Sequence, residues 1–515
     1  MVAKCYSGAL YGADARTVEI EVYSTVSTSS FTIVGLPDQA VKEAKERIPA
    51  ALKSSGYSTK TEFAVTVNLA PADVKKEGPV FDLPIAISLL AATGRIDNEH
   101  LDEYAMAGEL SLSGEIRGIR GILPIVVEMK RIGRRAVLVP AVNVEEASVV
   151  EGIDVIAVRT LREAAEYLGG TRTIEPARTD LAELVERDRD AGEDFADVRG
   201  QALTVEAVTV AVAGGHNLLM IGSPGAGKTM IARRIPSILP PLTVAEALEV
   251  ARIHSVAGRE KGTGGFVTRR PFRSPHHTVS SIGLLGGGTH PMPGEVSLAH
   301  RGVLFLDEFA EFPRGALEVM RQPLEDGYVA VSRASAAHDY PSRFMLVAAM
   351  NPCPCGYFND PTHPCRCSQT QILRYQQRVS GPLLDRIDIQ VGVSAVPVHE
   401  LMTAPRAPAS AAIRERVVAA RRRQLERYRG LPGVVTNADV KSRDLADACR
   451  LSERAQTEMR RTIERLKLSA RAYDRVLRVS RTIADLEGAE AVNETHVLAA
   501  AAYRQLDRDA QSFWM

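Results

Sequence analysis

The spacing of hydrophobic residues divides the 515-residue chain into three parts. In the first part, apolar residues alternate with others over positions 63–69, as in a strand, and recur at helical spacing over positions 86–91. From about residue 205, short apolar runs bounded by turn residues alternate with helices. These runs cover residues 217–221, 302–306 and 344–349. Such runs are typical of buried parallel strands, so this part predicts an α/β fold with a doubly wound sheet.

After about residue 396 the strand pattern fades and helical spacing remains. Four helices are predicted, over residues 411–429, 452–466, 470–487 and 493–506. A charged stretch between the first two parts is typical of a solvated linker or helix. We therefore predict an amino-terminal domain over residues 1–173, a charged linker over 174–197, an α/β core over 198–395 and a helical unit over 396–515.

Composition restricts the function only broadly. With 63 basic and 63 acidic residues the formal net charge is zero, which argues against a broad basic surface for wrapping DNA. The chain has no run of eighteen apolar residues, and its start lacks a basic segment followed by an apolar one. We therefore expect a cytosolic protein with no membrane partner, in which the six cysteines form no structural disulfides.

One motif carries phosphate chemistry. The sequence GSPGAGKT at residues 222–229 matches the pattern G-x-x-x-x-G-K-[ST], between a predicted strand and a predicted helix. Its residues are Gly222, Ser223, Pro224, Gly225, Ala226, Gly227, Lys228 and Thr229. We expect the backbone N–H groups of this P-loop to bind ATP, Lys228 to neutralise the β and γ phosphates, and Thr229 to bind Mg²⁺. The alternative is a glycine-rich turn without a function.

Polar residues at the ends of later apolar runs extend this site. Asp307 and Glu308 follow the run at 302–306, so we expect Asp307 to bind the magnesium and Glu308 to orient the attacking water. Taken alone, the two acids could instead lead into a helix cap. Asn351 ends the next run, where ligands bind in open α/β sheets. Arg386 lies beside two aspartates and is either an arginine finger or a member of a surface ion pair.

Four of the six cysteines form two C-x-C pairs separated by nine residues. They are Cys353, Cys355, Cys365 and Cys367. Four thiolates suit tetrahedral zinc, so our hypothesis is one structural Zn²⁺ ion, for which His363 could replace one ligand. The alternative is four free thiols. Cys5 and Cys449 stand alone and are interpreted as packing residues.

Longer motifs surround the predicted ATP site. They are DVRGQ at residues 197–201, GGHN at 214–217, FRSPHH at 272–277, GEVSLAH at 294–300, NPCPCG at 351–356 and SGPLLDRID at 380–388. Together they resemble the magnesium-chelatase-like branch of the AAA+ ATPases, of the YifB/ComM type, over nearly the whole chain. The resemblance implies an AAA+ P-loop core with a helical lid, assembled as a homo-oligomeric ring, most commonly a hexamer.

The same resemblance assigns roles to single residues. It implies that Asn351 is the sensor-1 residue, that Arg386 is a finger reaching the ATP of the neighbouring subunit, and that Arg471 occupies the sensor-2 position. Residues 269–298 correspond to an insertion that such rings direct at their pore, with a plain mobile loop as the alternative. Arg333 lies in a hairpin that carries a basic residue to DNA in related replicative helicases, with an ordinary exposed arginine as the alternative.

The amino-terminal part contains KKEGP at residues 75–79 and GELSLSG at 108–114. It is similar to the Lon protease proteolytic domain, an α+β domain of the ribosomal S5 domain 2 type. That family uses a serine directly after Gly-Pro and a lysine farther on. Here Val80 follows Pro79 and the lysine position falls near Leu123, so the Ser-Lys dyad is lacking. We interpret this domain as a structural or binding module.

Three functions are compatible with these motifs. The resemblance favours an ATP-hydrolysing ring motor on DNA, a helicase that promotes branch migration during recombination of incoming DNA, as proposed for the competence-associated members. The competing hypothesis is a protein-remodelling subunit of the magnesium chelatase type, although that subunit as a family pattern lacks the Lon-like domain and the C-x-C pairs. The third is an ATP switch that uses the ring only for assembly.

Overall fold

The structure is a computed structural model with two main sheets and a carboxy-terminal group of helices. It describes residues 2–28, 30–57, 63–97, 99–187, 192–258, 267–288, 291–333, 336–396, 405–466 and 469–504. Within these residues, no helix combines the length and the apolar character that crossing a membrane requires.

The first part of the chain forms a mixed seven-stranded sheet. Its strands and a separate short pair (β6, β7) are β1 Val2–Tyr11, β2 Asp14–Val26, β3 Ser30–Val34, β4 Phe63–Ala70, β5 Tyr104–Met106, β6 Glu109–Leu110, β7 Ile116–Arg117, β8 Ala136–Pro140 and β9 Asp154–Val158. The helices are α1 Gln39–Lys42, α2 Ala44–Ser54, α3 Asp82–Ala92, α4 Ile122–Arg131, α5 Val144–Ala147, α6 Leu161–Leu168 and α7 Leu181–Arg187. The strand order is β3-β4-β2-β1-β5-β8-β9.

Both faces of this sheet are covered near strand β8, whose five residues are all buried. Ala136 and Leu138 belong to the hydrophobic cluster of α3, whereas Val137 and Val139 belong to the cluster of α4. Alternate residues of a strand point to opposite faces, so α3 and α4 lie on opposite sides of the sheet. The charged stretch that follows contains α7, which buries Leu181 in the α4 cluster.

The α/β core contains a five-stranded parallel sheet of order β11-β14-β17-β10-β18. The strands of the core are β10 Leu218–Ile221, β11 Phe272–Arg273, β12 Gly286–Gly287, β13 Met292–Pro293, β14 Val303–Leu306, β15 Tyr328–Arg333, β16 Ala336–Pro341, β17 Met345–Met350 and β18 Ile389–Gly392. The helices are α8 Ala202–Gly214, α9 Lys228–Ile238, α10 Val244–Ala257, α11 Ser281–Leu285, α12 Glu295–Leu298, α13 Arg314–Glu318, α14 Arg321–Asp326, α15 Gln369–Gln376 and α16 Gly381–Leu384. The parallel strands predicted from the apolar runs are confirmed, with bounds that differ by one residue.

The parallel arrangement positions the polar residues that follow the strands. Every residue of β10, β14 and β17 is buried, as expected for strands covered on both faces. Gly222, Asp307 and Asn351 come directly after these three adjacent strands. Because the carboxyl ends of parallel strands share one edge, the three residues meet there.

Helices make up the last part of the chain, as predicted. They are Ser410–Arg427, Leu445–Ala448, Glu453–Leu466, Ala470–Glu487 and Glu494–Ala502. Helix Ala470–Glu487 begins where the Ser469 side chain accepts a hydrogen bond from Ala472 N, and it ends at Gly488 in a left-handed conformation. The last predicted helix ends at Ala502, and residues 505 and 506 lie outside the described residues.

A buried ionic network holds the helical part together. Asp485 is fully buried and accepts hydrogen bonds from Arg427 Nη1 at 2.9 Å and from Asn437 Nδ2 at 3.0 Å. Arg481 Nη2 lies 3.1 Å from the same carboxylate. A carboxylate in this position is stable only while the arginines compensate its charge.

The turn between β1 and β2 packs the amino-terminal part against the core. The Tyr11 ring packs edge-on against His338 of β16, with ring centroids 4.7 Å apart. Ala13 is buried in a hydrophobic cluster of the core, and Asp14 pairs with Arg252 of α10 at 2.6 Å. The turn is therefore wedged between the β15–β16 hairpin and α10.

Candidate nucleotide-binding site

The P-loop, residues 222–229, connects β10 to α9. Gly225 and Gly227 have φ angles of 79° and 91°, which residues with a side chain rarely adopt. Gly222 is required for a different reason, because a Cβ atom there would lie 2.1 Å from the carbonyl oxygen of Val393. The glycines allow the loop to turn sharply into the start of α9, and a helix N-terminus of this kind favours the binding of phosphate.

Lys228 is the buried cation of this loop. Its Nζ donates hydrogen bonds to Gly222 O at 2.6 Å, to Ser223 O at 3.0 Å and to Asn351 Oδ1 at 3.1 Å. Burial lowers the pKa of Lys228, and the nearby Asp307 carboxylate opposes this effect. The structure therefore brings together the P-loop lysine and Asn351, which are 123 residues apart in the sequence.

Thr229 and Asp307 form the second contact between separate motifs. The Thr229 hydroxyl donates to Asp307 Oδ2 at 2.6 Å, and Asp307 Oδ1 accepts from Glu308 N at 2.9 Å. A hydroxyl and a carboxylate are hard oxygen donors of the kind that Mg²⁺ prefers. The donor set fits magnesium.

Glu308 follows β14 in a left-handed conformation with φ 52°. Its Oε2 lies 2.9 Å from His277 Nδ1. The His277 ring also packs at a tilt against His276, at a centroid distance of 4.1 Å, and edge-on against Phe312. The sequence pattern alone indicated no role for His277. The signal that could have found it is the FRSPHH motif, which begins with β11, the strand next to β14, and continues into the loop after it.

Two side-chain amides form hydrogen bonds that join the segments around the site. Gln201 Nε2 donates to Ser394 O at 2.5 Å, beyond the end of β18. Asn217, just before β10, donates to Arg386 O at 2.8 Å and accepts from Leu346 N at 2.9 Å. Gln201 belongs to the DVRGQ motif and Asn217 to the GGHN motif. The sequence pattern did not predict these contacts.

Arg386 follows α16 near the end of the core, and Arg471 lies in the first turn of helix Ala470–Glu487. The Arg386 guanidinium donates to Glu325 and to Pro382 O, the latter at 2.5 Å. Arg471 Nη1 lies 3.9 Å from Asp385, and its side chain is 74% exposed. Within the single chain, both arginines therefore have acidic partners rather than contacts with the P-loop.

The hairpin that carries Arg333 and the stretch 269–298 both belong to the α/β core. Arg333 ends β15, opposite Ala336 of β16, and its side chain lies outside the described residues. In the stretch 269–298, short elements β11 to α12 form, and residues 289 and 290 lie outside the described residues.

The four cysteines of the C-x-C pairs converge in one group whose sulfurs all lie within 4.8 Å of one another. Cys353 Sγ lies 3.4 Å from Cys355 Sγ and 3.8 Å from Cys365 Sγ, and Cys355 and Cys365 are 3.6 Å apart. A zinc–sulfur distance of about 2.3 Å in a tetrahedron corresponds to sulfur–sulfur distances of about 3.8 Å. The group therefore fits one zinc ion. The His363 ring instead packs at a tilt against Tyr357.

Three family models match the chain. Residues 194–401 match "Magnesium chelatase, subunit ChlI", residues 18–143 match "Subunit ChlI of Mg-chelatase", and residues 407–504 match "Magnesium chelatase, subunit ChlI C-terminal". The chain therefore belongs to the magnesium chelatase subunit ChlI family, and its P-loop and parallel sheet are those of an AAA+-type ATPase.

Within this family the chain is similar to proteins of the ComM and YifB type, which confirms the resemblance. It is 41% identical to competence protein ComM of Haemophilus influenzae over 510 residues, 98% of each chain. It is 40% identical to YifB of Escherichia coli over 505 residues, 98% of this chain and 97% of that one. Lon protease 2 of Bacillus subtilis is 23% identical over 178 residues, 31% of this chain. The Lon-like fold of the amino-terminal part stays a prediction.

Proposed function

We propose that the chain is an ATP-hydrolysing ring motor that acts on DNA in the cytosol, a helicase that promotes branch migration during recombination of incoming DNA. The observation that carries the ATPase part is the convergence of two pairs, Lys228 with Asn351 and Thr229 with Asp307, at one sheet edge. Support for the DNA part is the likeness to competence protein ComM over 98% of both chains.

The proposed hydrolysis assigns one task to each side chain. Lys228 exchanges its carbonyl partners for the β and γ phosphates, and Asn351, already bonded to the same ammonium, contacts the γ phosphate. Glu308 orients the attacking water. Thr229 and Asp307 would hold a magnesium ion, and the bound ion would supply positive charge to the phosphates.

The proposed ring completes this site with a cation from the neighbouring subunit. AAA+ proteins typically assemble as rings, and we propose a hexamer. Arg386 is bound to Glu325 within its own chain, and its side chain is 12% exposed. In the ring it exchanges that carboxylate for the neighbour's phosphate, where a guanidinium stabilises the developing charge. Arg471 acts from the helical lid as the sensor-2 residue, and the amino-terminal domain is a structural or binding module.

The proposed DNA contact is the end of the β15–β16 hairpin, where Arg333 is placed. Residues 269–298 form the second pore-directed segment. A net charge of zero is compatible with this arrangement, because a pore needs only a local basic lining.

A structural zinc ion at the four cysteines is the further cofactor in the proposal. The sulfur–sulfur distances of 3.4 to 3.8 Å among Cys353, Cys355 and Cys365 support it, as does the clustering of all four sulfurs within 4.8 Å. Structural zinc sites contribute directly to the stability of the segment that they close.

The second candidate function is a protein-remodelling ATPase of the magnesium chelatase type. It is favoured by the description of all three matching family models as parts of a magnesium chelatase subunit. This function requires nucleotide hydrolysis at the same site but no response to DNA.

The two functions are separated by ATP turnover of the purified chain with and without DNA. We expect forked or four-way DNA to stimulate turnover, and Arg333→Ala to reduce the stimulation while leaving turnover without DNA unchanged. Arg461→Ala, at a lid arginine whose side chain is 74% exposed, is the matched control. Turnover that is indifferent to every DNA would remove the DNA motor and favour the second function.

A further inference from the structure

The segment that carries the four cysteines, residues 351–367, begins inside the nucleotide site. Asn351 Oδ1 accepts the hydrogen bond from Lys228 Nζ at 3.1 Å. Cys353, two residues later, is fully buried. The first ligand of the proposed zinc site is therefore close in sequence to a residue that contacts the P-loop lysine.

The middle of the segment lies against the P-loop itself. Gly356 has a φ of 87° and packs so closely on Pro224 that a Cβ atom would lie 2.6 Å from Pro224 Cδ. Asp360 accepts a hydrogen bond from the Ser223 hydroxyl. The segment therefore touches the P-loop at two successive residues in addition to the lysine.

In the sequence, the residues that make these two contacts lie between the two C-x-C pairs. Gly356 directly follows Cys355, and Asp360 lies midway between Cys355 and Cys365. A metal that joins the two C-x-C pairs closes the intervening residues into a short loop and reduces the conformations open to Asp360. Asp360 Oδ1 is fixed further by hydrogen bonds from Thr362 N at 2.8 Å and Thr362 Oγ1 at 2.7 Å.

The P-loop needs such support because three of its eight residues are glycines. Glycine loses more conformational freedom on ordering than other residues, so an unsupported loop would have to be ordered by the nucleotide. Contacts that order the loop beforehand remove this cost from binding and raise affinity.

We propose that the zinc-bound cysteine segment holds the P-loop in its nucleotide-binding shape, so that zinc binding and nucleotide binding are thermodynamically linked. The inference rests on the proposed zinc site. Linkage is reciprocal, so zinc raises nucleotide affinity by the factor by which nucleotide raises zinc affinity.

The test uses the full chain and no DNA, so its outcome does not depend on the DNA motor. Zinc is measured by elemental analysis, and the Kd of a fluorescent ADP analogue is measured before chelation, after chelation and after zinc is restored. We expect one zinc per chain, and a loss of affinity of about tenfold on chelation that zinc reverses. Circular dichroism checks that the chelated chain stays folded.

Two variants show whether the contacts transmit the effect. Asp360→Ala keeps all four cysteines, so it should retain zinc yet bind the analogue about tenfold more weakly. Cys449→Ala, at a buried cysteine outside the group, should retain both zinc and affinity.

Three results would overturn the inference. Chelated protein that binds the analogue within about twofold of the zinc-loaded protein would end the linkage while leaving the zinc site in place. Zinc-bound Asp360→Ala with unchanged affinity would remove the proposed route. Protein without zinc, in which four thiols titrate freely, would remove both the site and the linkage.

Discussion

Replacement of His277 by alanine removes the imidazole that lies against the Glu308 carboxylate. The Nδ1–Oε2 distance is 2.9 Å, and His276 and Phe312 hold the imidazole ring in place. The side chains of His277 and Glu308 are 31% and 55% exposed, and a solvent-exposed pair contributes up to about 1 kcal/mol because water screens it. A loss of about 1 kcal/mol from the transition state lowers a rate about fivefold.

We therefore expect His277→Ala to lower kcat for ATP hydrolysis about fivefold and to leave nucleotide affinity unchanged. The reason is that the P-loop contacts of Lys228 and Thr229 do not involve His277. Steady-state turnover at saturating ATP and titration with a fluorescent nucleotide measure the two quantities. His100→Ala, at an exposed histidine of the amino-terminal part that pairs with Glu103, is the matched control. A kcat within about twofold of the unaltered chain, or an equal loss of affinity, would refute the positioning role.

Three further predictions address the lid, the interface and the ring. Asp485→Ala should lower the free energy of unfolding, measured by urea denaturation, by roughly 3–5 kcal/mol, because it leaves the charge of buried arginines uncompensated. Glu206→Ala, at an exposed ion pair, is the control and should change it by less than about 1 kcal/mol. Equal effects of the two variants would contradict the role of the buried network. Tyr11→Ala should speed amide hydrogen exchange in the β15–β16 hairpin, whereas Tyr23→Ala, at a half-exposed tyrosine of the same sheet, should not. Arg386→Ala should lose turnover and regain part of it when mixed with a P-loop-defective subunit; no recovery on mixing would count against a finger in trans.

The residues that follow strands could be predicted because their signal is local. Gly222, Asp307 and Asn351 each come directly after an apolar run, and buried parallel strands place their carboxyl ends at one edge. The pattern therefore indicated both the sheet and the residues that meet at its edge. The cysteine group could be predicted for a similar reason, because ligand number and spacing are visible in the sequence.

Contacts made by loops could not be predicted in this way. His277 lies thirty-one residues before Glu308, and Asp360 lies 137 residues after Ser223. Neither pair follows a helical or strand period, so only the folded chain brings the partners together. The contact of Tyr11 with His338 likewise joins the amino-terminal part to the core, which the hydrophobic pattern predicts as separate domains.

The most direct test of the proposed motor is branch migration on a four-way DNA junction with a labelled strand. The purified chain with ATP and magnesium should convert the junction into two forked duplexes, which gel electrophoresis resolves. Glu308→Gln should bind ATP but produce no conversion, because it lacks the carboxylate that orients the attacking water. Steady ATP turnover by the unaltered chain with the junction left intact would contradict the DNA motor.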